Sequence, residues 1–247
     1  MDYRTLQKRL DKFLCDLNIG TRSQVKSFIQ KGLVTVNNDI IKKPEHKITD
    51  TDVVCYMGKV LSYEEYAYYM LHKPAGIISA TEDKFQATVL DYFKEEPCKN
   101  LYPVGRLDKD TEGLLLITND GKLSHQLLSP KKHVPKKYYA HVAGVVTEED
   151  VKEFAKGVIL DDGYETKPGA LTILKSDDIS EIELVITEGK FHQVKRMFEA
   201  VGKKVVYLKR TEMGPLVLDE ELELGQYREL TDEEVEMLKT YQVDTEK

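Results

Sequence analysis

The stretch Gly105-Arg106-Leu107-Asp108-Lys109-Asp110-Thr111-Glu112-Gly113-Leu114-Leu115-Leu116-Ile117-Thr118-Asn119-Asp120-Gly121 changes character half-way along. Its first half is a polar loop, and the whole stretch carries four acids and two bases. Leu114 to Thr118 then reads as a buried strand. Asn119-Asp120-Gly121 marks a turn, because these residues tolerate left-handed backbone angles. Lys122 to Leu128 follows as a short helix. Polar groups on the lip of a buried strand are held rigidly at the edge of a core, a common place for catalytic side chains. Arg106 and Asp108 are two residues apart and share a face of an extended chain. A guanidinium so placed is expected to keep the carboxylate ionised and oriented.

Around this stretch lies a chain of 247 residues, 41% of them hydrophobic, enough for one large domain or two smaller ones with a sizeable core. The three cysteines, Cys15, Cys55 and Cys98, are odd in number and far apart. That pattern points to reduced thiols in a cytosol, with neither a disulfide framework nor a zinc site. The start, Met1 to Lys8, has no apolar signal core, and no run is long enough to span a bilayer. The expectation is a soluble cytoplasmic protein with no membrane partner. The net charge of −7 is unevenly placed. Residues 1–60 hold 11 Lys and Arg against 7 Asp and Glu, a balance of +4; the remainder holds 25 against 36, a balance of −11. Such asymmetry suggests that the first segment meets a polyanion while the rest keeps the chain soluble.

In the first segment Leu6, Leu10, Phe13, Leu14 and Leu17 recur at helical spacing. Thr21-Arg22-Ser23-Gln24 is a capping box that opens a second helix with Val25, Phe28 and Ile29 inward. Arg22, Lys26 and Lys31 decorate that helix, and Gly32 is suited to end it. Leu33 to Val36, a turn at Asn37-Asn38-Asp39 and Ile40-Ile41 read as a hairpin. A tyrosine-rich bridge, Tyr63-Glu64-Glu65-Tyr66, leads to a strand at Tyr68 to Leu71. Pro74 and Gly76 break it, and Ile77 to Ala80 starts a strand again. Thr88 to Phe93 is a predicted helix with Val89, Leu90 and Phe93 inward.

Beyond the central stretch, Lys136 to Val142 alternates as a strand with Tyr138, Ala140 and Val142 on its apolar face. Ile182, Leu184 and Ile186 mark another strand. Glu188-Gly189-Lys190 turns it into a helix from Phe191 to Val201, with an apolar stripe of Val194, Met197, Phe198 and Val201. His192, Lys195 and Arg196 lie off that stripe, and His192 has no second ligand at zinc spacing. Gly202 closes the helix, and Val205 to Leu208 is a further strand. A capping box at Thr231 to Glu234 opens a terminal helix to about Tyr241, after which the chain is expected to fray.

Three of these stretches resemble the motifs of one enzyme family. Gly105 to Leu116 closely resembles the aspartate motif of pseudouridine synthases, and Asp108 matches its catalytic aspartate. Lys136-Lys137-Tyr138 resembles the second motif, whose tyrosine stacks on the target base; a flipped pyrimidine needs a flat partner to replace its lost neighbours. Gly189 to Phe198 resembles the third, in which the basic residue two after Gln193, here Lys195, pairs with the aspartate. Lys73-Pro74-Ala75-Gly76 is similar to the first motif of the same family. Residues 3–50 resemble the S4-like RNA-binding module shared by a small-subunit ribosomal protein, tyrosyl-tRNA synthetase and many pseudouridine synthases.

The resemblance implies an S4-like RNA-binding domain and linker over residues 1–60, and a catalytic domain over 61–247. The catalytic domain is expected to be an α/β (α+β) fold around a largely antiparallel, bent sheet with flanking helices. The implied reaction breaks the bond from uracil nitrogen to ribose, rotates the base and rejoins it through carbon, an isomerisation that needs no cofactor and no metal. Asp108, Tyr138 and Lys195 are the expected catalytic group. Arg106 is expected to support the flipped-out backbone, Leu208 to pack against Tyr138 and the base, and Arg22, Lys26, Lys73, His192 and Arg196 to contact RNA. The flanks Lys132 to Tyr138 and Thr166 to Leu171 look like the small-subunit branch. The expected partner is therefore small-subunit (16S) rRNA in an assembly intermediate, met by a monomer. The same chemistry on large-subunit (23S) rRNA is the alternative. Glycoside hydrolysis by Asp108 and Asp110 would need two carboxylates set across one bond and would leave the basic segment idle. A non-catalytic assembly factor would have no use for the intact set of Asp108, Tyr138 and Lys195.

Overall fold

The computed structural model describes residues 8–17, 19–49, 51–61, 66–98 and 100–242, the Lys131 side chain excepted. Leu6 of the first helical stripe, Tyr63 to Glu65 of the bridge and the last five residues lie outside them. The chain divides into two compact units, one of residues 1–67 with 95–100 and one of 68–94 with 101–247.

The first unit begins with β1 (Lys8–Arg9), α1 (Leu10–Asp16) and α2 (Arg22–Gln30). Then come β2 (Val34–Val36), β3 (Asp39–Ile40), β4 (Lys47–Ile48), β5 (Val54–Tyr56) and β6 (Lys59–Leu61). β1 pairs with β4, and the other strands form an antiparallel sheet in the order β3-β2-β5-β6. Thr21 caps α2 as its sequence requires: its Oγ1 accepts from Gln24 N, and Gln24 Oε1 accepts from Thr21 N at 2.9 Å. The β2–β3 turn runs through Asn37 and Asn38, both in the left-handed region that a tight hairpin demands. One small core gathers Leu10, Phe13, Leu14, Val25, Ile29, Val34 and Val54. Arg22 and Lys26, one turn apart on α2, stay exposed.

The second unit is built on a nine-stranded sheet. Its strands are β7 (Tyr68–Lys73), β8 (Tyr102–Pro103), β9 (Glu112–Thr118), β10 (Lys136–Ala143), β11 (Ala170–Lys175), β12 (Ile179–Ile186), β13 (Lys204–Met213), β14 (Leu216–Val217) and β15 (Tyr227–Glu229). The order is β11-β12-β10-β13-β9-β7-β15, with β14 added on β13 and β8 on β9. Among the paired strands of the described residues, β9 and β13 alone run parallel. The Leu114–Ile117 run is fully buried, as expected of a strand covered on both faces. At about 2 kcal/mol per buried aliphatic side chain, it fixes the floor from which the preceding loop springs. Gly113 sits at the crossing of β9 and β13 with φ +109°, and a Cβ there would collide with the Arg210 backbone. Between β10 and β13 the register slips at Lys137/Tyr138, so Tyr138 faces Arg210 directly. A bulge of this kind re-aims a side chain at a functional edge.

Four helices flank the sheet among the described residues: α3 (Gly121–Leu128), α4 (Glu148–Lys156), α5 (Gln193–Ala200) and α6 (Asp232–Thr240). Phe154 of α4 packs on Phe198 of α5 at 4.9 Å between ring centroids. Three local expectations are corrected. Ile77 to Ala80 forms no strand; it makes an isolated bridge to Thr88, and Ser79 is spent on the neighbouring loop. Thr88 to Phe93 is a 3₁₀ turn over Val89–Phe93 rather than an α-helix. α5 begins at Gln193, two residues late, because His192 is left-handed at φ 50° and interrupts the helical backbone.

Candidate active site

Residues 105–111, between β8 and β9, are wrapped around a buried ammonium. Lys73, fully buried at the end of β7, donates to the carbonyls of Pro74 (3.0 Å), Asp108 (3.1 Å), Lys109 (3.3 Å) and Thr111 (2.9 Å). Three protons are shared among four acceptors, which locks the loop without a side-chain partner. Ser79 adds a second clamp, donating to Leu107 O at 2.9 Å and accepting from Leu107 N at 3.0 Å. Lys73 is therefore not a phosphate contact, because it has no surface. Burial draws it down to about 8 against the opposing pull of Asp110, Asp108 and Glu112.

The Asp108 carboxylate points away from that clamp. Lys195 Nζ, on α5, lies 3.2 Å from its Oδ2 and donates to Asp110 Oδ1 at 2.6 Å. His192 Nε2 stands 3.7 Å from Asp108 Oδ1 on the other side. Burial works against the charge of Lys195, but its bonds to Asp110 and Asp108 prevail and its pKa is raised. Burial likewise works against the Asp110 carboxylate, and the Lys195 hydrogen bond and charge bring it below its ordinary range. The lysine thus serves as a point charge between two carboxylates, which an ammonium can do without the fixed fork of a guanidinium. The expected Arg106–Asp108 pair is absent: Arg106 is exposed, and the neighbour of Asp108 comes from α5, 87 residues along the chain.

What holds α5 at this distance is a knot of side chains around Glu188. Its carboxylate accepts from Gln193 Nε2 (2.6 Å), Tyr164 Oη (2.7 Å) and Lys167 N (3.0 Å), while Gln193 Oε1 accepts from Lys190 N (2.8 Å). Glu188, Tyr164 and Ser79 are functional neighbours that the sequence reading missed. A glutamate before a glycine turn was the only local signal for the first, and Ser79 had none.

Asp108 and Tyr138 line one cavity of about 310 Å³ with Arg106, His192, Leu208 and Arg210. Tyr138 is buried on the face of β10 that alternation predicts, and Leu208 of β13 pairs with Ala140, one step away on the same face. Lys195 is not in the lining and reaches Asp108 from behind it. Arg196 is turned aside: its guanidinium is paired with Asp161 and with Asp162 at 2.7 Å, so its donors are occupied within the protein. Arg22 and Lys26 belong to the first unit and its α2 surface. A carboxylate with a fixed cation, in one cavity with a buried tyrosine, suits chemistry at a glycosidic bond.

A family model described as RNA pseudouridylate synthase matches residues 67–200, and an S4 domain model matches residues 8–54. An RNA pseudouridine synthase of Bacillus subtilis (strain 168), YtzG, is 48% identical over 93% of this chain and 98% of its own length. Ribosomal small subunit pseudouridine synthase A of Vibrio vulnificus is 43% identical over 92% and 98%. A solved structure, a crystal structure of pseudouridylate synthase, is 41% identical over 93% of this chain and 99% of that one, with a TM-score of 0.66. No described helix is long and apolar enough to cross a membrane. On fold, motif order and these likenesses the chain belongs to the RNA pseudouridylate synthase family, isomerases that act on RNA, and carries an N-terminal S4 domain.

Proposed function

We propose that this chain converts one uridine of small-subunit (16S) rRNA to pseudouridine, with Asp108 as the catalytic carboxylate. The observation that carries the residue assignment is that Asp108, in the wall of the cavity that also holds Tyr138, is paired at 3.2 Å with Lys195 outside that lining. Tyr138 stacks on the extruded base, Leu208 packs beside it, and Lys195 holds the carboxylate in place. Arg106, exposed at the cavity, and His192 meet the backbone of the flipped nucleotide. The small-subunit target is supported by the relatives named ribosomal small subunit pseudouridine synthase A, 41 to 43% identical over most of the chain. Residues 1–60 serve as the RNA anchor, through Arg22 and Lys26 on α2. The protein acts in the cytoplasm as a monomer on a partly assembled particle, where the irregular RNA shape it reads is on offer.

Tritium release from 5-labelled uridine in rRNA tests the chemistry. Carbodiimide mapping by primer extension in cells lacking the gene tests the target. Loss of one small-subunit site is the expected result; loss of a large-subunit or tRNA site moves the protein to another branch.

A further inference from the structure

Four cations in the cavity lining, Lys136, Lys167, Lys190 and Arg210, have no part in the roles above. Lys167 Nζ lies 2.7 Å from His133 Nδ1 and Lys190 stands over the Tyr164 ring, which leaves Lys136 and Arg210. Lys136 and Tyr138 lie two residues apart on the same face of β10, and Arg210 of β13 is paired with Tyr138 across the sheet. Both cations line the cavity that Asp108 and Tyr138 share. Arg210 is 2% exposed; its Nε donates to Leu114 O at 2.9 Å, and its Nη2 is buried without a hydrogen bond. Thr111, also in the lining and 1% exposed, has an equally unmet Oγ1. Lys136 Nζ donates only to Val134 O, at 3.0 Å. Among the described residues neither cation is paired with a carboxylate. Lys195, Lys203 and Arg228, half-buried in the same unit, are by contrast paired with carboxylates: Lys195 with Asp108 and Asp110, Lys203 with Asp150, Arg228 with Asp219 and Glu234. Lys136 instead feels burial and the like charge of Arg210, which together draw it down to about 8. Two desolvated like charges with free donors are unfavourable in the empty protein and persist where a negative charge arrives.

We propose that Lys136 and Arg210 are a cationic floor that stabilises the uracil anion released when the N-glycosidic bond breaks. This rests on the isomerase reading above. As the C1′–N1 bond breaks, its electron pair leaves with N1 and spreads over O2 and O4 of the ring. The charge that develops at C1′ is offset by the Asp108 carboxylate without a bond to it. The anion turns, C5 uses its electron pair to form the C1′–C5 bond, the C5 proton passes to water, and N1 takes a proton from water. Atoms and electrons balance with no co-reactant. The base enters neutral and becomes anionic only during bond breaking, so donors fixed beneath it act on the transition state more than on the bound substrate. A backbone phosphate is the competing anion, but these cations share the cavity lining and the sheet register with Tyr138, the residue assigned to the base.

The test uses the full chain, saturating enzyme and rRNA from cells lacking the gene, in single-turnover tritium release. Lys136→Met is expected to lower the rate by about 100-fold, the scale of one preorganised charge-stabilising donor. RNA Kd should stay within about twofold, with an unchanged salt slope. Lys136→Arg should restore most of the rate. Since the buried charge is unfavourable, Lys136→Met should unfold no lower than wild type, which separates catalysis from folding; Arg210→Lys supplies an independent variant with the cation retained. With 5-fluorouridine RNA, whose base is the better anion, the loss in base cleavage should shrink to about tenfold or less. The inference is overturned if Lys136→Met is as fast as wild type, or if its loss is the same for both bases. A loss confined to Kd, with a salt slope lower by about one, also overturns it and assigns a phosphate contact. Turnover by the wild-type chain is the separate control on the isomerase reading.

Discussion

Asp108→Asn is expected to reduce tritium release by more than about 1,000-fold while leaving the thermal midpoint and the RNA affinity near wild type, because one carboxylate carries the catalytic step. Turnover within tenfold of wild type would remove Asp108 from its role. Lys73 gives a sharper contrast between two readings of one residue. As a solvated phosphate contact, Lys73→Met would lower the salt slope by about one and spare stability. As the ammonium that binds four loop carbonyls, its loss is expected to cost about 3 kcal/mol or more of stability and to lower the turnover rate, with the salt slope unchanged. Denaturant unfolding and a salt titration of the same variant decide it. Both residues were visible in the sequence as parts of motifs. Only Asp108 had its environment legible, because the burial of Lys73 is made by carbonyls that carry no sequence signal.

Elements were readable where their own periodicity decides burial. Alternation along β10 put Tyr138 on the inner face, and the capping boxes at Thr21 and Thr231 fixed two helix starts. Ile77 to Ala80 looked like a strand because its residues are apolar, but a strand also needs an edge to pair with, and Ser79 is committed to Leu107. The parallel contact of β9 with β13 was equally invisible, and Gly113 is the residue that permits it. Gly113→Ala combines a positive φ with a clash against the Arg210 backbone, so it is expected to destabilise the second unit by at least about 2 kcal/mol. Because the loop holding Asp108 springs from that strand, turnover should fall with it. A Gly113→Ala protein with wild-type unfolding and activity would show that β9 and β13 are not so closely packed.

On the scale of the whole molecule, charge is divided along the chain, +4 over residues 1–60 and −11 beyond. Replacing Arg22 and Lys26 together by alanine is expected to weaken rRNA binding and to lower the salt slope by about two, one per phosphate contact, without changing the single-turnover rate of bound RNA. An unaltered slope would place the RNA anchor elsewhere. Stability should also follow pH in a defined way. Lys73 and Lys136 titrate near 8 when folded and near 10.5 when unfolded, so between those values the unfolded chain holds more protons and stability rises with pH. Above about 10 the trend should turn, because the Glu181 hydrogen bond raises Tyr139 to about 12 while unfolded tyrosine already ionises. A denaturation midpoint that falls steadily from pH 8 to 10 would contradict the burial of the two lysines.

The sequence by itself determined the family, the order of the motifs, the helix starts after Thr21 and Thr231 and the inner face of β10, because capping, turn chemistry and side-chain period act over a few residues. It also named Asp108, Tyr138 and Lys195, since each sits in a motif with several fixed positions. The tertiary structure alone decided which further groups stand beside them. It left Asp108 with Lys195, the partner the third motif implied, and without Arg106; it turned Lys73 inward and Arg196 toward Asp161 and Asp162, and set Arg210 against Tyr138. These neighbours come from elements tens of residues apart, and the register of a sheet and the burial of a charge are settled by pairing and desolvation across the whole core, which no local pattern records.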